Sequence, residues 1–174
     1  MVLKEIKNRR SVRSYLDKKI PEEVLHKVLE AARLAPSASN RQPWKFIIVQ
    51  DKELKKKIME ASLLHNRIQP FIAEASAIIA GCATNTNHIM PNGVYSYPVD
   101  LTIALDHLSL QAAKEGLGTC WIGAFDQDKM REVLHIPGDV IIVCLMTLGY
   151  PAGAGFKSSR KPLEEIICYN YYSK

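Results

Sequence analysis

Four short apolar runs constrain this chain more than anything else in it. Phe46 to Val49, Ser76 to Cys82, Thr119 to Ala124 and Val140 to Met146 are each nearly unbroken in apolar or small residues. Runs of that length bounded by turn formers read as strands covered on both faces. Helical patterns lie before and between them. The expected fold is therefore α+β, with a central mixed β-sheet of four or five strands flanked by helices.

The helical segments carry their own start and stop signals. Residues 3–10 can open a short helix, with Leu3 and Ile6 on one side. Pro21 followed by Glu22 and Glu23 suits a helix start, because the acids favour the positive end of the helix dipole. Val24, Leu25, Val28, Leu29 and Ala32 follow at near-helical spacing, and Pro36 stops the run. Asp51 is placed to cap a helix through Leu54, Ile58 and Met59, and a second helical piece is expected within 63–75. Asp100 is expected to cap a helix over 101–115, and Asp126 one that Pro137-Gly138 stops. The 101–115 segment is apolar over most of its circumference, which in a domain this small predicts a subunit interface. The segment 84–98, broken by Pro91, Gly93 and Pro98, reads as a mobile loop.

At 174 residues, with no internal repeat or interior linker, the chain reads as one domain over 1–174. No apolar run reaches the length of a membrane span, and the start of the chain is charged, so a cytoplasmic location is expected. Cys82, Cys120, Cys144 and Cys168 are far apart and lack metal-ligand spacing. Each lies in or beside an apolar run and is expected to be a buried thiol. No metal site is expected.

Charge is distributed unevenly. Lys4, Lys7, Arg9, Arg10, Arg13, Lys18 and Lys19 face only Glu5 and Asp17 within residues 4–19, a local excess of five that equals the net charge of the whole chain. Three arginines and a serine between residues 9 and 13 suit a phosphate dianion, because guanidinium forks give paired, charge-assisted hydrogen bonds. A solvated basic arm, or a nucleic-acid contact, has the same composition. The aromatic interleaving and module motifs of nucleic-acid binders are missing, so no nucleic-acid partner is expected.

The chain lacks a G-x-S-x-G elbow, an H-E-x-x-H pair and a Walker loop. Its five histidines are scattered, and no residue is assigned a catalytic role. Three donor-rich pieces remain: the arginine cluster, the polar loop Pro36 to Trp44, and Arg160-Lys161. Donors without a nucleophile fit an anionic cofactor that carries the chemistry itself. The small residues Gly123 and Ala124 would let a flat ring approach the backbone.

Four stretches together resemble the nitroreductase family of FMN-dependent oxidoreductases. They are Arg9-Arg10-Ser11-Val12-Arg13, Ala35 to Trp44, Gly116 to Gly123, and Arg160 to Glu165. They fall in the family's order across nearly the whole chain. The resemblance implies a nitroreductase-like homodimer with FMN at the shared interface. Arg9, Arg10, Ser11 and Arg13 match positions that hold the flavin phosphate and ribityl chain, with Arg160 and Lys161 joining from the tail. Pro36, Ser37, Ala38 and Asn40 match the loop that the partner subunit lays against FMN, and Gly123 with Ala124 the turn facing the ring. Asn66 or Gln69 falls near a third flavin-contacting region.

By the same resemblance, NADH or NADPH is the transient donor. A hydride then passes through flavin N5, in ping-pong order, to a small-molecule acceptor such as a nitroaromatic or quinone. A specialised reaction of the same family, dehalogenation or flavin fragmentation, is the alternative, with flavin binding without turnover behind it. The chain is short for the family, and its sequence names no acceptor.

Overall fold

A computed structural model describes residues 1–64, 67–155 and 158–173. In chain order the elements are α1 (Lys4–Asn8), α2 (Glu22–Arg33), β1 (Trp44–Val49), α3 (Lys52–Glu60), β2 (Leu63–Leu64), β3 (Arg67–Ile68), α4 (Phe71–Glu74), β4 (Ala77–Ala83), α5 (Ser96–Lys114), β5 (Gly118–Ile122), α6 (Gln127–Leu134) and β6 (Ile141–Gly149). Short 3-10 turns cover Ala38–Asn40 and Leu163–Glu165. The four apolar runs form one sheet in the order β1-β4-β6-β5, and every pair of neighbouring strands in it is antiparallel. The parallel component of the expected mixed sheet is confined to one bridge, Ser11 with Thr119, along the β5 edge.

The runs lack polar alternation because both faces of the sheet are covered. All seven residues of β4 are buried. Ile78, Ala80 and Cys82 point into a core with Ile58, Ile72 and Met130 from α3, α4 and α6. Ala77 and Ile79 point into the opposite core, with Val28 and Ala32 of α2 and Leu105 and Leu108 of α5. The period of two along the strand thus separates two apolar layers.

Asp51 accepts from Leu54 N, and Asp126 from Asp128 N and Lys129 N, as helix caps. Asp100 departs from expectation. Helix α5 begins five residues earlier than expected, at Ser96, with Pro98 in its first turn, where its missing N–H breaks no intrahelical bond. Asp100 is therefore inside the helix, and its carboxylate serves another segment.

The helical piece expected within 63–75 is the four-residue α4, and before it β2 pairs antiparallel with β3. Residues 84–95 fold around a turn in which Met90 N donates to Val94 O at 2.8 Å. Cys82, Cys120 and Cys144 are buried as expected, but Cys168 is exposed, because the tail from Ser158 to Ser173 lies against no core. Among the described residues no helix is long and apolar enough to cross a membrane.

Candidate functional site

Segment 9–16 is built into the sheet edge and is not a free arm. Val12 N donates to Thr119 O at 2.9 Å, Leu16 N to Tyr150 O at 2.9 Å, and Ala152 N to Ser14 O at 2.9 Å. The segment therefore runs along the start of β5 and then along the chain leaving β6. Two glycines in register, Gly118 and Gly149, make the room. A Cβ on Gly118 would lie 2.5 Å from Val12 Cγ2, and one on Gly149 would lie 2.9 Å from Tyr15 Cδ1. Val12 and Tyr15 fill those spaces and are buried. The intervening and flanking residues, Arg9, Arg10, Ser11 and Arg13, are left partly or fully accessible.

Arg9, Arg10 and Ser11 line one cleft of about 330 Å³ together with Arg160 and Ser158. Ser11 and Arg13 line an adjoining cleft of about 370 Å³ with Gly153 and Gly155. Among the described residues none of Arg9, Arg10, Arg13 and Arg160 is in an ion pair with a carboxylate. Their charges differ in availability. Arg10 Nη1 donates to the carbonyls of Lys7 at 2.6 Å and Arg9 at 2.8 Å, closing the end of α1. Arg160 Nη1 donates to Ser158 Oγ at 2.7 Å. The guanidinium groups of Arg9 and Arg13 make no such bond among the described residues.

Both act electrostatically on the Cys120 thiol. Burial pushes that thiol above its usual value, while Arg13 and, more weakly, Arg9 pull it back. Behind Arg9 and Arg10, a cavity of about 160 Å³ is lined by Thr119, whose buried Oγ1 has no hydrogen-bond partner among the described residues.

Gly123 and Ala124 follow β5 at its far end. From Thr119 to Gly123 the strand advances about 13 Å at roughly 3.3 Å per residue, a span that suits an extended cofactor with a phosphate at one end. Gly123 is exposed, and a Cβ there would meet no atom within 4 Å, so the approach is open. Lys161 is exposed beside Arg160.

The loop holding Pro36, Ser37, Ala38 and Asn40 lines neither arginine cleft. It sits over α5, with Ala38 N donating to Asp100 Oδ1 at 2.8 Å. Gln69 is half-buried beyond β3, and Asn66 lies outside the described residues. The structure thus unites Arg9, Arg10, Ser11, Arg13 and Arg160 and leaves the 36–40 loop apart. Sequence reading gave no placing role to Val12, Tyr15, Gly118 and Gly149, which seat the arginine segment, or to Asp100, which anchors the 36–40 loop. Only Gly118 carried a signal, as the glycine at a helix-to-strand junction.

An antiparallel sheet with unneutralised arginines clamped to one edge defines an α+β protein competent to hold an anionic ligand. The profile of the nitroreductase family matches residues 6–93 and 64–150, and the chain belongs to that family. An FMN reductase [NAD(P)H] of Bacillus subtilis is 32% identical over 182 residues, spanning 95% of this chain and 72% of that protein. A crystal structure of a nitroreductase family protein from Clostridium difficile 630 has a TM-score of 0.85 at 32% identity, covering 99% of this chain and 100% of that one. An FMN-dependent nitroreductase from Clostridium difficile R20291 has a TM-score of 0.80 at 27% identity, covering 97% and 98%.

Proposed function

We propose that the chain is an FMN-dependent NAD(P)H oxidoreductase in which residues 1–174 form one FMN-binding domain. The observation that carries this reading is the convergence of Arg9, Ser11 and Arg13 with Arg160 around adjoining clefts, with no carboxylate paired to the arginines among the described residues. That donor set fits a phosphate dianion. Bound FMN supplies hydride acceptance from NADH or NADPH at N5 and its delivery, in ping-pong order, to a nitroaromatic, quinone or similar acceptor.

The chain's own residues bind and orient. Arg9 and Arg13, whose guanidinium groups bond no protein oxygen among the described residues, offer donors to the phosphate. Arg10 commits Nη1 to the end of α1 and so helps set the path of the segment. Arg160 and Lys161 bring further charge from the tail, and the open face at Gly123 and Ala124 admits the ring.

Two observations support a homodimer with the flavin shared across its interface. The 36–40 loop lies away from the arginine clefts of its own chain, as expected if it serves the partner's flavin. The tail also exposes Leu163, Ile166, Tyr169, Tyr171 and Tyr172, the last at 88%, a set of apolar groups that a second copy would cover. Cytoplasmic location is part of the same reading.

Anaerobic absorption spectroscopy tests it. The purified protein, supplied with FMN, is expected to show a bound-flavin spectrum that bleaches on adding NADH or NADPH and returns with a quinone or nitroaromatic. A protein that neither shifts the flavin spectrum nor bleaches it is not this enzyme.

A further inference from the structure

The loop at 37–42 holds an unusual backbone. Ser39, Asn40 and Gln42 have φ of 51°, 52° and 50°. Left-handed conformations at non-glycine residues cost free energy and persist only where surrounding structure over-determines them. The loop's own bonds supply part of that constraint. Gln42 N donates to Ser37 Oγ at 2.9 Å, and Gln42 Nε2 reaches Asn40 Oδ1 at 3.2 Å. Residues 39–42 are exposed and no side chain of theirs enters a core.

Among the described residues, two hydrogen bonds tie residues 37–42 to other elements: Trp44 N of β1 donates to Gln42 O at the loop's end, and Ala38 N, at its start, donates to Asp100 Oδ1. Asp100 is 3% exposed and sits within α5. Its second oxygen, Oδ2, is equally buried and has no partner among the described residues. A buried carboxylate is expensive, and a neutral amide oxygen could accept the same bond at lower desolvation cost.

We infer that Asp100 is a positioning residue for the flavin site, holding the strained 37–42 loop in the geometry it needs to meet the cofactor. The inference rests on the proposed FMN function. Asp100 itself touches no reacting atom; it fixes the loop from inside α5, and the loop does the contacting.

The test compares Asp100→Ala, Asp100→Asn and Ala38→Pro with Arg13→Ala as control. Ala38→Pro removes the donor from the other partner and leaves α5 intact. The backbone tolerates it, because Ser37 is already extended at φ −143°, ψ 158°. Two readouts are taken. FMN affinity should fall about tenfold or more in Asp100→Ala and Ala38→Pro, the effect of losing one bond to a charged group. Asp100→Asn, which keeps an acceptor, should recover most of it. Trypsin should cut after the exposed Arg41 faster in Asp100→Ala and Ala38→Pro than in the wild type, a readout that needs no flavin.

Unchanged FMN affinity in both Asp100→Ala and Ala38→Pro, with affinity lost in Arg13→Ala, overturns the inference and leaves the proposed function standing. A lowered unfolding midpoint with FMN affinity kept also overturns it, assigning Asp100 to stability alone. Should Asp100→Ala fail to fold, Ala38→Pro decides by the same readouts. Should the wild type bind no FMN, the functional reading falls, and an unchanged Arg41 cleavage rate would separately refute the anchor.

Discussion

The Tyr15 hydroxyl lies 2.7 Å from Thr147 Oγ1 and donates to the Val12 carbonyl at 2.9 Å, tying the arginine segment to the middle of the sheet. Thr147 is fully buried on β6, and burial pushes the Tyr15 phenol well above its ordinary value. Tyr15→Phe removes the donor and leaves both partners in a buried setting. It is expected to lower unfolding stability by about 1–3 kcal/mol, the cost of unsatisfied buried polar groups. Urea denaturation checks this; a change under a few tenths of a kcal/mol would mean that the segment is held without the bond.

Gly118→Ala attacks the same clamp through space. The added methyl would overlap Val12, whose Cβ lies 2.8 Å away, so the segment must lift from β5. Overpacking of this kind typically costs about 1–3 kcal/mol, and FMN affinity should fall with it. Paired denaturation and flavin titration measure both; full stability and full affinity together would show that Val12 can move freely.

The sheet was legible because its strands are buried on both faces and carry no polar alternation to confuse with a helix. The donors Arg9, Ser11, Arg13 and Arg160 were legible as candidates for an anion site because charge and motif are local properties, whereas their convergence on adjoining clefts is tertiary. Asp100 was misread as a cap because helix α5 continues upstream through Pro98, which sequence rules treat as a boundary. The pairing of β2 with β3 was lost because two-residue strands carry too little pattern. Tyr15 with Thr147, 132 positions apart, and the glycine pair at 118 and 149 are tertiary relationships that no local window contains.

Stability should fall at high pH. Burial pushes the Cys82 and Cys144 thiols up to about 11. In the unfolded chain they ionise at ordinary values near 8.5. Between those limits the unfolded state has lost protons that the folded state keeps, so alkali favours unfolding, by up to about 1.4 kcal/mol per pH unit for each thiol. Tyr15, also raised, adds to the loss above its unfolded pKa of about 10. Lys55 opposes it: burial lowers its pKa, so its contribution rises with pH. Urea midpoints are expected to be flat to about pH 8 and to drop toward pH 11, less steeply in Cys144→Ala. A midpoint that rises across this window would contradict the assignment.

The proposal that the flavin is shared across a homodimer predicts complementation. Subunits carrying Arg13→Ala and subunits carrying Asn40→Ala should each bind FMN weakly as homodimers. If the loop and the arginines of one site come from different chains, mixed dimers contain one site with both lesions and one with neither. Refolded mixtures should therefore recover tight FMN binding in up to half the sites of the heterodimer. Mixtures that bind no better than the two parents would place loop and arginines of one site in the same chain.

The central claim is that residues 9–13 hold the phosphate of FMN, and parallel titration of FMN into the wild type and Arg13→Ala tests it most directly. Loss of one charge-assisted contact worth about 1.5–3 kcal/mol should weaken binding by roughly ten- to a hundred-and-fifty-fold. Riboflavin, which lacks the phosphate, should bind both proteins weakly and nearly alike. Equal FMN dissociation constants for wild type and Arg13→Ala would contradict the account.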